Sequence, residues 1–170
     1  METRPGKLWE AVSAPLSGLA MWPRVALQPR AMTAPAAKKH LHVVCALIER
    51  AGRVLAAQRP AEKAQGLLWE FPGGKLEDGE SAEAALVREI REELCVGIAL
   101  GERLADAHHD YGKFAITLTP FRAVLGEPGA EPHATEHVGL RWCAPEELRG
   151  LSWAPADVPI VEEYLARRRG

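Results

Sequence analysis

The run Ser81-Ala82-Glu83-Ala84-Ala85-Leu86-Val87-Arg88-Glu89-Ile90-Arg91-Glu92-Glu93-Leu94-Cys95 carries the spacing of an amphipathic helix. At about 100° per residue, Leu86, Val87, Ile90 and Leu94 fall on one face, suited to packing on a sheet. Glu89, Glu92 and Glu93 fall together on another, at i, i+3 and i+4, with Ala85 one turn earlier on that face, small enough to leave space above the carboxylates. The acidic face is costly. Like charges at these spacings destabilise a helix by a few tenths of a kcal/mol per pair, roughly. Acids in the last turn oppose the helix dipole by about 0.3–1 kcal/mol each. Arg88 and Arg91 offset only part of this. A solvated acidic surface is the ordinary explanation of such a face. A divalent cation is the other, since it converts repulsion into ligation by hard oxygen donors. The helix alone leaves both open; its surroundings decide.

Working outward, Leu41–Ile48 reads as a buried strand and Arg53–Gln58 as its hairpin partner across a turn at 49–52. Leu67–Phe71 is a short apolar stretch closed by Pro72-Gly73-Gly74. Strand-like runs follow near 100–108, 114–125 and 138–143. A short helix starts at Ala144-Pro145, with proline in its first turn. A last helix spans roughly 157–168, with Asp157 placed as its N-cap. Strands mixed with two main helices predict an α/β sandwich, with residues 40–170 as its domain.

Residues 1–39 are different: rich in Ala and Pro, scattered with basic residues, and without helical or strand periodicity. A disordered or mis-started extension is the expectation, because Met32 stands just before the ordered pattern. A transit peptide would need an Arg/Ser-rich amphipathic pattern, and a secretory signal a compact apolar region; neither is evident. Cys45, Cys95 and Cys143 are odd in number and form no C-x-x-C pair, so a disulfide framework or zinc site is not expected and a reducing cytoplasm is. A net charge of −2 argues against a nucleic-acid polymer as partner, while leaving room for a nucleotide. No apolar run reaches membrane-spanning length, so no membrane partner is expected; a monomer or a homodimer fits.

Upstream of the helix stands Gly73-Gly74-Lys75-Leu76-Glu77-Asp78-Gly79-Glu80. Together the two segments resemble the Nudix box, G-x5-E-x7-R-E-U-x-E-E-x-G-U, where U is a bulky aliphatic residue. Gly74 opens the pattern, Glu80 follows the spacer, Arg88-Glu89 come seven residues on, Ile90 and Val96 fill aliphatic slots, and Glu92-Glu93 are the paired acids. Cys95 stands where the pattern has its last glycine, so Gly97 is the expected substitute for the helix-ending turn. Gln58-Arg59-Pro60, Trp69-Glu70-Phe71-Pro72, Glu136-His137, Arg141-Trp142 and Ala154-Pro155-Ala156-Asp157 resemble the MutT-type branch, and within it the CTP pyrophosphohydrolase group. The likeness covers about residues 40–168.

That resemblance implies a Nudix α/β/α sandwich with a mixed sheet, the box forming a loop–helix–loop. It implies Mg²⁺, with Mn²⁺ as substitute, held by Glu89, Glu92, Glu93, the Gly73 carbonyl and Glu136. Divalent metal neutralises the phosphates and activates water. Glu89 is the first choice for the base that takes the proton, and Glu92 the second. Gly74, Glu80 and Arg88 are structural, Arg88 tying loop to helix through Glu80; a phosphate contact is its alternative role. Arg59 and Lys75 are candidates for phosphate contacts or are plain surface cations. Asp157 is the candidate base-reading residue and Phe114 a weaker stacking one, whereas Trp69 and Trp142 read as core. An ionised Asp only accepts hydrogen bonds; one kept protonated by burial can also donate. The first would suit cytosine or guanine N–H groups, the second the altered edge of 8-oxoguanine. His108-His109 should point to opposite faces of a strand, as rim residues and not a metal pair.

The implied reaction cleaves a nucleoside triphosphate of (d)CTP, 5-methyl-dCTP or 8-oxo-dGTP type to monophosphate and pyrophosphate. A nucleotide-sensing module that has lost catalysis is the competing class, against which all three box acids stand. Hydrolysis of ADP-ribose or a nucleotide sugar is a third reading. Sanitation of damaged nucleotides and control of a normal pool are both compatible with the sequence.

Overall fold

The computed structural model describes residues 38–168. The expectation for the N-terminal extension therefore lies almost wholly outside the described residues. In chain order the elements are β1 (Lys39–Arg50), β2 (Arg53–Gln58), β3 (Trp69–Glu70), β4 (Gly73–Lys75), α1 (Ala82–Leu94), β5 (Ile98–Arg103), β6 (Ala107–Asp110), β7 (Phe114–Leu125), β8 (Gly139–Cys143), a 3-10 helix (Pro145–Gly150) and α2 (Val158–Arg167). The strands join one mixed sheet whose spine runs β3-β2-β1-β7-β5. β1 and β7 pair in parallel from Lys39↔Phe114 to Glu49↔Val124, and the other pairings are antiparallel. β4 pairs with β1, β6 with β7 and β8 with β2.

The two-residue period of β1 divides the core. Val44, Ala46 and Ile48 pack on α1 through Leu86, Ile90 and Leu94. Cys45 and Leu47 pack on the other side against α2, through Ile160, Val161, Tyr164 and Leu165. This is the expected α/β/α arrangement. The β1–β2 turn places Ala51 at φ 50° and Gly52 at φ 77°, the paired left-handed geometry that suits strand twist in a two-residue hairpin. Among the described residues no helix is long and apolar enough to cross a membrane.

Several local expectations are corrected. The run near 100–108 is two strands, because β5 shifts register on β7 between Leu100 and Arg103, and Leu104 then bonds Pro120. The 67–71 stretch contains only the short β3; Leu67, at φ 64°, is exposed. Ala85 is fully buried in the α1-side core, not open above the carboxylates, while Val87 is half-buried. Cys95 itself takes the left-handed turn at φ 57°, its N–H reaching Arg91 O, so Gly97 does not take over. Asp157 occupies the N-cap position of α2, but its side chain makes no cap hydrogen bond.

Candidate active site

Ser81 starts α1 by accepting the Ala84 N–H on its Oγ at 3.2 Å. The start of the helix is tied to the preceding loop through Arg88. Its Nε and Nη2 grip the two Glu80 oxygens at 3.1 and 2.9 Å, and Nη2 also reaches the Lys75 carbonyl at 3.3 Å. Nη1 donates to Glu89 at 2.9 Å and to Glu92 at 3.4 Å. Arg88 is thus the brace of the loop–helix junction, and its hydrogen bond holds the Glu80 carboxyl below the usual carboxylate range.

The two glycines let this unit close. β4 lies antiparallel on β1, with Gly73 opposite Cys45 and Gly74 opposite Val44. A β-carbon on Gly73 would stand 2.1 Å from the Val44 carbonyl oxygen; one on Gly74 would stand 2.1 Å from Cδ of Glu89. Glycine at 74 therefore lets the Glu89 carboxylate lie directly on the loop backbone. Glu93 sits one turn on and accepts the Gly73 N–H at 3.1 Å. Burial, reinforced by the charges of Glu70 and Glu89, pushes the Glu93 carboxyl up to about 7, against the opposing pull of His137 and the Gly73 N–H.

The expected metal donors are only partly gathered. Glu89 and Glu93 flank Gly73-Gly74, but Glu92 is 61% exposed and reaches Arg88, while Glu136 is 56% exposed and paired with Lys63 at 2.7 Å. Among the described residues no three His, Cys, Asp or Glu side chains converge as a metal-binding group. The donor chemistry nonetheless fits a hard cation. Carboxylate and carbonyl oxygens surround the loop, and for the desolvated Glu93 the pull of His137 and the Gly73 N–H does not outweigh burial.

Beside the loop opens a cavity of about 300 Å³, lined by Gly73, Gly74 and Lys75 and also by Asp157. Phe114 lines it, as does Tyr111 across the β6–β7 hairpin, their rings 5.0 Å apart. Asp157 is buried, and its Oδ1 accepts the Phe71 N–H at 2.9 Å. Burial pushes its carboxyl up to about 8, so it holds a proton at neutral pH. Lys75 is exposed at the rim. Arg59 also lines the cavity but is already engaged, bonding Glu70 at 2.5 Å and the Ala64 carbonyl at 2.8 Å. Glu70 in turn meets His137 Nε2 at 3.1 Å. His108 and His109 do diverge: His108 Nδ1 meets the Thr117 hydroxyl, whereas the His109 ring lies edge-on to Tyr111.

Sequence reasoning assigned no site role to Lys63, Glu70, Tyr111 or His137. A lone Lys in a loop, or a Glu in a two-residue strand, gives no periodic signal. Tyr111 was accessible, since closing a hairpin at Gly112 sets it beside Phe114, with Tyr111 N donating to Phe114 O.

The NUDIX domain model matches residues 43–163. The CTP pyrophosphohydrolase of Escherichia coli is 43% identical over 130 residues, which cover 76% of this chain and 95% of that protein. The 8-oxo-dGTP diphosphatase of Proteus vulgaris is 42% identical over 85 residues, covering 49% and 76% respectively. The solution structure of the Escherichia coli ORF135 protein superposes with a TM-score of 0.68 at 41% identity, covering 80% of this chain and 96% of that one. With box, sheet and relatives in agreement, the chain belongs to the Nudix family and is a hydrolase of its MutT-type branch.

Proposed function

We propose that the protein is a Mg²⁺-dependent pyrophosphohydrolase that converts a nucleoside triphosphate to its monophosphate and pyrophosphate. The observation that carries this reading is continuity. The cavity that Asp157 lines is also lined by the Gly73–Lys75 loop that Glu89 and Glu93 flank. A base in the cavity would thus lay its phosphates along the acidic face. The relatives named for CTP and 8-oxo-dGTP support the same class.

When bound, divalent metal would supply charge neutralisation and a more acidic water. Glu89, Glu92, Glu93, Glu136 and the Gly73 carbonyl are the groups proposed to hold it. Glu89, packed on Gly74 and steered by Arg88, is the proposed base, taking the proton of the attacking water. The water oxygen adds to one phosphorus flanking the α–β bridge, the bond from that phosphorus to the bridging oxygen breaks, and the monophosphate and pyrophosphate separate. Lys75 at the rim is proposed to meet the phosphates. Arg59 would do so only by leaving Glu70, and otherwise shapes the wall.

A protonated Asp157 both donates and accepts, which favours substrates of 8-oxo-dGTP type, with (d)CTP and 5-methyl-dCTP types as the other members of the proposed range. The test is a panel of CTP, dCTP, 5-methyl-dCTP, dGTP, 8-oxo-dGTP and ADP-ribose with Mg²⁺, Mn²⁺ or chelator. Metal-dependent release of monophosphate and pyrophosphate is expected. Turnover of ADP-ribose alone would make the protein a diphosphate-compound hydrolase, and binding without turnover a sensor.

A further inference from the structure

We propose that Tyr111 is a specificity-determining residue whose ring stacks on the substrate base, forming with Phe114 an aromatic wall of the cavity. The inference rests on reading that cavity as the base site. Tyr111 stands at the tip of the β6–β7 hairpin, where tight closure fixes its direction. Its N–H donates to Phe114 O at 2.9 Å, Gly112 turns the chain at φ 82°, and Asp110 Oδ1 accepts the Gly112 N–H at 2.6 Å. The backbone beneath the ring is therefore set before any ligand arrives.

Three contacts then orient the ring. Phe114 lies 5.0 Å away at a 32° tilt, and the His109 ring lies edge-on at 4.4 Å. The phenol lies close to the Ala156 backbone, one residue before Asp157. The ring is half-buried and lines the cavity that Asp157 closes. A flat, pre-oriented aromatic face beside a hydrogen-bonding carboxyl is a complementary pair: the carboxyl reads the edge of a planar base and the ring covers its face. Without Tyr111, Phe114 would offer only part of that surface.

The test compares the wild-type chain with Tyr111→Leu, which retains apolar bulk but no aromatic face, and Tyr111→Phe, which retains the face. Steady-state kinetics with CTP and 8-oxo-dGTP are paired with calorimetric titration of CMP and 8-oxo-dGMP in the absence of metal. Tyr111→Leu is expected to raise KM and weaken monophosphate binding about tenfold or more, with the smaller part of the loss in kcat, and Tyr111→Phe to recover to within about threefold. Inorganic tripolyphosphate, which has no base, should compete equally well in all three. If Tyr111→Leu matches wild type in KM and monophosphate affinity, the inference is overturned while the hydrolase reading stands. If wild type turns over no triphosphate, the hydrolase reading fails, and the titrations alone judge Tyr111: ring-dependent binding supports it, and no binding overturns it. Should Tyr111→Leu fail to fold, the wild-type ring protons of Tyr111 decide, since they must shift upfield on saturation with CMP and an unmoved signal rejects stacking.

Discussion

The Asp157 carboxylate accepts the backbone N–H of Phe71 at 2.9 Å, across 86 residues of sequence. Placed to cap α2, it instead fastens the start of that helix to the segment between β3 and β4 that leads into Gly73-Gly74. One oxygen is committed to Phe71, leaving the other to face the cavity. An amide can make the same two contacts. Asp157→Asn should therefore fold normally and retain the ranking of bases, while removing the dependence of KM on pH near 8. Asp157→Ala should lose about 1–3 kcal/mol of stability from the unsatisfied Phe71 N–H, and flatten the ranking. Melting curves and KM ratios across bases check both; unchanged ratios in Asp157→Ala would reject base reading by this residue.

Asp157 and Glu93 both sit above ordinary carboxylate values, at about 8 and about 7. Between about pH 4 and those values the unfolded chain has ionised both, whereas the folded chain still holds the protons. The folded state binds more protons in that window, so stability falls as pH rises through it. The larger share of the fall comes from Asp157, whose carboxyl is shifted further. Metal-free protein should melt highest near pH 5, and Asp157→Asn and Glu93→Gln should each flatten the decline toward pH 8.5. A wild-type slope that both variants leave untouched would contradict the assignment.

The two loop glycines should separate fold from chemistry. Alanine at 73 meets the Val44 backbone and must take a positive φ of 154°, so Gly73→Ala should cost roughly 3 kcal/mol or more. Alanine at 74 meets only the movable end of Glu89. Gly74→Ala should therefore lose less than about 1.5 kcal/mol, yet drop kcat by about a hundredfold as Glu89 is pushed aside. Denaturant melts beside single-substrate kinetics give the comparison, and equal stability losses at the two sites would refute it.

Arg88 braces the junction with a planar fork that lysine cannot reproduce. Arg88→Lys should reduce kcat at least tenfold and stability by about 1–2 kcal/mol. A lysine variant with wild-type kcat would reduce Arg88 to a surface cation.

Lys63 holds Glu136 at 2.7 Å and keeps its carboxyl below the ordinary range. If Glu136 serves the metal, Lys63 competes with it. Because the pair is exposed and worth less than about 1 kcal/mol, Lys63→Ala should lower the half-saturating Mg²⁺ concentration only two- to threefold. A higher requirement would show that Lys63 assists binding.

The elements with a strong period were legible in sequence: β1, β2, α1, β7 and the last helix. So was the box, because its residues are spaced along one loop and one helix. What the chain hid depends on contacts between distant segments. The division of 100–108 follows from the register of β5 and β6 on β7, which no local pattern encodes. Ala85 looked open because helical geometry places it near Glu89; packing of α1 on the sheet buries it. Asp157 read as a cap because its position is right, and only the tertiary approach of Phe71 diverts the carboxylate. The ties of Glu136 to Lys63 and of Arg59 to Glu70 depend likewise on how loops meet.

The parallel pairing of β1 with β7 has a kinetic consequence. The first long strand cannot gain this neighbour until residues 114–124 have left the ribosome and come back to it. The loop to be closed encloses β2, the box and α1, so its entropy must be lost before most of the sheet is rewarded. Nascent chains halted before β7 would hold α1 and β1 without the parallel neighbour of β1, leaving that strand edge open to chaperones and to other chains. Synthesis beyond Leu125 is the point at which this molecule can first become compact.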